Sequence, residues 1–265
     1  MSRWSIWVAR WYARADRCER AVLNALQAVH EGVWLGVVGP AALRAATSLY
    51  YEGAAKYHDR EYNLSGLQGW EEDIIRRHFA SCRSVLVASA GGGREAIALR
   101  RQGFEVDAFD CTDGLVATAN HLADAEGVPL RFVLAEPDAV PGGFGTFDAA
   151  VIGWGGYMHV PRRESRVAFL RQLRGHLRAT APLLVSFFER NPSARRFRYI
   201  RAIASAVRRV RFSREPVELG DSLAGSFDHH FTRDELSSEL EAGGFEMVEY
   251  TSTPYAHAVA RATPT

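Results

Sequence analysis

The sequence predicts an α/β fold, doubly wound around a mostly parallel sheet and preceded by a helical cap. Three observations lead there. From Ser84 onward, short apolar runs alternate with helix-length amphipathic stretches, the pattern of strands joined by crossover helices on both faces of a sheet. The first run, Ser84–Ser89, passes through Ala90 into Gly91-Gly92-Gly93 before helix-forming sequence resumes at Arg94. Such a strand-to-helix turn needs residues without a Cβ clash. Soon after it, Phe104–Asp110 reads as a second strand ending in a carboxylate. A glycine turn followed by an acidic strand end is how α/β folds hold the adenosine part of a cofactor.

In chain order, residues 1–79 read as the helical cap. Asp16–His30 puts Val22, Leu23, Leu26 and Val29 on one helical face, Gly39-Pro40 interrupts, and Ala41–Tyr51 resumes. A polar aromatic stretch, Tyr57–Leu67, leads to a helix over Trp70–Phe79. Residues 80–265 read as the core. Its strands are expected at Ser84–Ser89, Glu105–Phe109, Leu130–Leu134, Phe147–Gly153 and Leu183–Phe188, with helices at Arg94–Gln102, Thr112–Glu126 and Arg163–Arg178. An arginine-rich insertion near 191–214 carries Phe197, Ile200, Ile203, Val207 and Val210 at helical spacing. Thr232 and Glu235 form a capping-box pair, Gly243-Gly244 ends that helix, and Phe245–Tyr250 and Ala256–Ala262 give a short antiparallel finish.

Composition narrows the function classes. A net charge of +1 over 265 residues argues against general nucleic-acid binding, which needs a strongly basic surface. Cys18, Cys82 and Cys111 are too few and too scattered for a disulfide framework or a zinc site, so a cytoplasmic setting is expected and no metal. The start lacks a secretory apolar core, and the run Gly32–Leu43 is shorter than the roughly 20 residues of a membrane span.

Read mechanically, Gly91-x-Gly93-x-x-Ala96 with Asp110 also satisfies the dinucleotide fingerprint. A NAD(P)-binding Rossmann protein would need a second mononucleotide half, which the remaining length does not supply. Instead, Val85–Glu95, Val106–Asp110, Phe147–Val160 and Phe231–Tyr250, in that order and spacing, resemble the class I S-adenosylmethionine-dependent methyltransferases over roughly residues 57–251. The resemblance implies a seven-stranded sheet with an antiparallel last strand, S-adenosylmethionine as cofactor and S-adenosylhomocysteine as product. It implies that Ser89, Ala90, Gly91 and Gly93 pass under the methionine moiety and that Asp110 accepts from the ribose hydroxyls. Cys111 and Thr112 would flank the adenine, with Glu136, Pro137 and Asp138 at its edge. Gly153 and Trp154 would face the sulfonium, and Tyr57 and Tyr62 would close over the methionine end or pack between cap and sheet. One departure stands out: the family's first strand usually carries an acidic residue followed by a glycine, where this chain has Val87 and Ser89.

Methyl transfer needs positioning and, for a protonated acceptor, a base. His159 is the first candidate base, with a helix cap or loop contact as its plainer role. Glu189, after the fifth strand, is a second candidate or an ion-pair partner of Arg190. His229 and His230 are candidates for the acceptor pocket. The arginine-rich helix presents a solvated face, or else meets an anionic acceptor, anionic lipid in a peripheral membrane contact, or RNA. Trp4, Trp7 and Trp11, interleaved with Arg3, Arg10 and Arg14, read as anchors of the cap or as a dimer contact; the oligomeric state stays open. The expected function is methyl transfer to the oxygen or nitrogen of a small-molecule acceptor, with no specific nucleic-acid partner. The alternatives are other chemistry on the same cofactor and a non-catalytic cofactor-binding protein.

Overall fold

The computed structural model describes residues 3–264 without the Arg3 side chain, so the outer ends of both expected domains and the Arg3 part of the basic-aromatic face lie outside the described residues. The chain opens with α1 (Arg3–Val37), α2 (Pro40–Gly53), α3 (Ala55–His58), α4 (Arg60–Leu64) and α5 (Gly69–His78). The alternating section follows as β1 (Ser84–Ala88), α6 (Arg94–Arg101), β2 (Glu105–Asp110), α7 (Asp113–Ala125), β3 (Phe132–Leu134) and β4 (Ala149–Ile152). A 3-10 turn at Gly156–His159 precedes α8 (Arg163–Gly175), β5 (Pro182–Ser186) and α9 (Arg196–Val210). The finish is β6 (Asp221–Ala224), β7 (Ser226–His229), α10 (Arg233–Ala242), β8 (Phe245–Thr251) and β9 (His257–Ala262).

The chain divides into two contact units: residues up to Gly39 with Pro192–Ala224, and Pro40–Asn191 with Gly225–Thr265. These bounds cross the expected ones. Residues 40–79 group with the sheet, whereas α1 groups with the arginine-rich helix α9.

In the larger unit the sheet order is β3-β2-β1-β4-β5-β9-β8. The first five strands run parallel, with Val85 beside Val106 and Ala149, and Val151 beside Leu184. Strand β9 runs antiparallel to both β5 and β8, giving the seven-stranded, mostly parallel sheet with an antiparallel last strand. Central strands covered on both faces must be apolar throughout, and Val85–Ala88 and Ala149–Ile152 are entirely buried. Alternate side chains go to opposite faces: Leu86, Ala150 and Leu183 join one core, and Val85, Val87, Ala149 and Leu184 the other. The strand order reverses between β1 and β4, where open α/β sheets form a ligand crevice. The Thr232–Glu235 capping box forms as expected, and Gly244 takes φ 89 just past α10.

On the far edge, Arg77 holds Glu249 with bonds of 2.6 and 2.8 Å, and His78 adds one of 2.8 Å. Arg77, chiefly through these hydrogen bonds, depresses the Glu249 carboxyl from 4.5 to about 2. A depressed carboxyl stabilises the fold above its ordinary value and loses that contribution as pH falls through the folded one. Glu249→Gln is therefore expected to flatten the fall in melting temperature between pH 4.5 and about 2, seen by thermal melts across that range.

In the smaller unit α1 meets α9 at two glycines. A Cβ on Gly32 would lie 2.8 Å from the Ile203 Cβ, and one on Gly36 2.5 Å from the Val207 Cβ. Arg208 donates to the carbonyls of Leu35 at 2.9 Å and Val38 at 3.2 Å, a cation on the exposed carbonyl end of a helix. Phe197 and Ile200 of the expected stripe are buried, but Val210 is 78% exposed. Val22, Leu23, Leu26 and Val29 of α1 are exposed, and the buried residues are Ala28, Glu31, Gly32, Leu35 and Gly36, because the glycines set where α9 approaches. No helix among the described residues is long and apolar enough to cross a membrane.

Candidate active site

The three glycines after β1 serve different ends. Gly91, at φ +53, has open space where a Cβ would point. A Cβ on Gly92 would lie 2.4 Å from the Tyr57 carbonyl and 2.5 Å from Asn63 Nδ2. The α3–α4 segment thus lies directly on the turn, held by Asn63 donating to the carbonyls of Tyr57 at 2.8 Å and Asp59 at 3.0 Å. Gly93 takes φ +100, and a Cβ there would meet the Phe132 ring at 2.9 Å. Ser89 also has positive φ, at 52, which costs a side-chain-bearing residue about 1–3 kcal/mol. That backbone shape explains why a glycine would be at ease at this position.

Above the turn lies an open cleft of about 1020 Å³, counting the solvent space at its mouth. Of the residues singled out in the sequence, Tyr57, Tyr62, Ser89, Ala90, Gly91, Asp110, Cys111, Thr112, Glu136, Pro137, Asp138, Trp154 and His159 line it. Four do not. Gly93 packs behind the turn, and Gly153 lies against β1, where a Cβ would come 2.3 Å from the Ser89 carbonyl oxygen. Glu189 lines a second cavity of about 490 Å³ and accepts from the Tyr250 hydroxyl at 2.6 Å. β5 ends at Ser186, short of the expected Phe188, and Arg190 pairs with Glu235 instead. His229 is 3% exposed, edge-on to Phe231 at 4.7 Å. Tyr157 is a packing residue: it is fully buried and donates to Glu239 at 2.6 Å. The sequence reading missed Arg44, Tyr51, Asn63 and Glu95, all in the cleft wall.

Asp110 ties the glycine turn to the end of β2. Its Oδ2 accepts from the Gly91 amide at 2.9 Å and its Oδ1 from the Thr112 amide at 2.8 Å. Burial raises its pKa, opposed by those same amides. A carboxylate has about four acceptor positions, so lone pairs remain for hydroxyl donors from the cleft. These acceptors fit the hydroxyls of a ribose, as the resemblance implies.

Beside the turn, Arg94 forks onto Glu71 with two bonds of 2.7 Å and meets Glu95 at 2.5 Å. All three are buried, at 3%, 3% and 5% exposed. Glu95 also accepts from the Trp154 amide at 3.2 Å. Two carboxylates share one guanidinium, and the surplus negative charge sits at the cleft wall, where burial raises the Glu95 pKa. An unmatched buried charge is costly, so this corner favours a cationic group from the cleft. Val87 lies in the opposite position for such a role, buried in the core under the sheet.

At the other side, Tyr51 donates to His159 Nε2 at 2.7 Å. His159 Nδ1 lies 2.8 Å from the Phe227 carbonyl and 3.1 Å from Asp228 Oδ1. Both of those are acceptors, so Nδ1 is assigned the proton and Nε2 the lone pair in the neutral ring. Burial, then the neighbouring Tyr57 and Asp228, pushes the Tyr51 hydroxyl far up, which keeps it protonated. Tyr51 also packs on Tyr57 at 4.9 Å, and Tyr57 on Tyr62 at 5.7 Å, making an aromatic wall.

A seven-stranded sheet of this order, with a glycine turn and an acidic β2 end on one crevice, defines the class I methyltransferase fold. Residues 85–180 match the family model described as a methyltransferase domain. No curated protein matches its sequence. Among solved structures, it is similar to the 1,6-didemethyltoxoflavin-N1-methyltransferase of Burkholderia thailandensis, with 22% identity and a TM-score of 0.59 over 86% of this chain and 92% of that one. It is also similar to an S-adenosylmethionine-dependent methyltransferase of Methanosarcina mazei, with 18% identity and a TM-score of 0.58 over 76% and 100%. A third is CalS10, an amino pentose methyltransferase of Micromonospora echinaspora, with 17% identity and a TM-score of 0.53 over 76% and 94%. At these identities the likeness is one of fold.

Proposed function

We propose that this protein methylates an oxygen or nitrogen of a small molecule, in the cytoplasm, with His159 as base. The observation that carries the reading is that Asp110 and the hydrogen-bonded pair Tyr51–His159 open on one cleft. The cleft wall combines aromatic rings (Tyr51, Tyr57, Tyr62, Trp154) with a few converging polar groups, the lining of a small-molecule site. The substrates named for the Burkholderia and Micromonospora enzymes are also small molecules.

S-adenosylmethionine, when bound, supplies a methyl group already activated by its sulfonium. The chain's own residues orient it and handle the proton. Asp110 holds the ribose, and Glu95 offers its carboxylate to the ammonium, replacing the strand acid that Val87 displaces. The acceptor gives its proton to Tyr51 Oη as the Tyr51 proton passes to His159 Nε2. Asp228, at 3.1 Å from Nδ1, then faces the imidazolium.

Two experiments test the reading. With S-adenosyl-[methyl-14C]methionine and a metabolite extract, label is expected in the small-molecule fraction; label confined to protein or nucleic acid would overturn it. For the cofactor's orientation, Glu95→Gln is expected to weaken S-adenosylhomocysteine by about 10-fold or more, the worth of one charge-assisted hydrogen bond. Binding of 5′-methylthioadenosine, which lacks the ammonium, should hold. Equal loss for both ligands would remove Glu95 from that role.

A further inference from the structure

The smaller unit leaves a long apolar seam uncovered. No residue of α1 from 4 to 27 is buried. Along it, Trp4, Val8, Trp11, Ala15, Cys18, Val22, Ala25 and Val29 follow one another at alternating steps of four and three. That is the a/d pattern of a coiled coil, and all of these positions are apolar. They are also exposed: Trp4 is 65%, Trp11 57%, Val22 59% and Val29 48% accessible, and Ala15, Cys18 and Ala25 are exposed too. At 100° per residue the seam is centred roughly 85° around the helix from the buried residues Ala28, Gly32, Leu35 and Gly36, of which the two glycines pack on α9. A second helix can therefore dock without displacing α9.

We infer that this seam pairs with the same seam of a second copy, in parallel, as a two-stranded coiled coil. Two features select that occupant. The β-branched Val8, Val22 and Val29 hold three of the four a positions and Ala15 the other, and β-branched residues at a favour two strands. Charge sets the direction: Arg14 falls at g and Glu19 at the e position of the next heptad. In a parallel pair each Arg14 meets the partner's Glu19, whereas an antiparallel pair sets like beside like.

The full-length protein tests this by light scattering at tens of micromolar, as a molar mass near twice the 29.4 kDa of one chain. Val22→Glu is expected to weaken the pair by about 100-fold or more, since it buries two unmatched charges, with the helical circular dichroism retained. Diamide oxidation is expected to link the wild type through Cys18, which faces its twin at a d position. The link should persist in Cys111→Ser and vanish in Cys18→Ser. A wild-type mass of 29.4 kDa, a trimer or tetramer, or a pair that Val22→Glu leaves intact would overturn the inference. So would a dimer that Cys18 does not cross-link, or a monomer that co-sediments with phosphatidylcholine–phosphatidylserine vesicles.

Discussion

Asp110→Asn is expected to lower the affinity for S-adenosylhomocysteine by about two orders of magnitude. The substitution is nearly isosteric, so its effect is electronic. Both carboxylate oxygens are committed to amide donors, Oδ2 to Gly91 at 2.9 Å and Oδ1 to Thr112 at 2.8 Å. An asparagine has one oxygen, so its NH2 group must face one of those N–H groups, donor against donor. The turn then loses a strut and the ribose loses a charged acceptor. Hydrogen bonds to a charged group are worth about 1.5–3 kcal/mol each, and about 3 kcal/mol is roughly a 150-fold change in affinity. Calorimetry measures it. The same carboxylate gives wild-type binding a pH dependence of known sign. The ionised form accepts on both oxygens, whereas protonation turns one of them into a donor, and burial raises its pKa above 3.8, so affinity falls as pH falls through that raised value. Binding unchanged in Asp110→Asn would place the ribose elsewhere.

Glu239→Ala is expected to be the most destabilising single change in the larger unit. Glu239 is 2% exposed and receives Arg166 through two bonds of 2.9 and 2.7 Å, with the Tyr157 hydroxyl at 2.6 Å. Arg166 is 1% exposed and lies over the Phe231 ring at 5.2 Å. Removing one member of a buried ion pair leaves the other charge uncompensated, at about 3–5 kcal/mol. For a chain of this size that is roughly 10 °C in melting temperature. Urea titration gives the free energy directly, and a loss under about 1 kcal/mol would mean the guanidinium finds other acceptors. The network also bears on the site. Tyr157 and His159 share one 3-10 turn, so loosening the first shifts the second.

The sheet was legible because parallel strands buried on both faces must be continuous apolar runs. Val85–Ala88 and Ala149–Ile152 leave little else to read. Asp110 was legible for a similar reason, as a carboxylate placed where such a strand stops. The caps at Thr232–Glu235 and Gly243-Gly244 are local chemistry and formed where expected. What escaped is assembled over distance. Tyr51 stands 108 residues before the histidine it contacts, and Glu71 stands 23 before Arg94. No local pattern joins them. Glu95 was visible but read only as part of a helix start, since nothing in its neighbourhood announces a shared guanidinium. Glu189 lines the second cavity and not the cleft, with β5 ending two residues before the expected Phe188. For α1 the periodicity identified a helix and left open which stripe is covered, and two glycines against Ile203 and Val207 decided it.

A crystal structure with S-adenosylhomocysteine tests the central claim most directly. The ribose is expected on Asp110, the ammonium against Glu95, and the sulfur facing the space beside Tyr51 and Trp154. A ligand lying in the second cavity, or one whose ribose makes no contact with Asp110, would contradict the account.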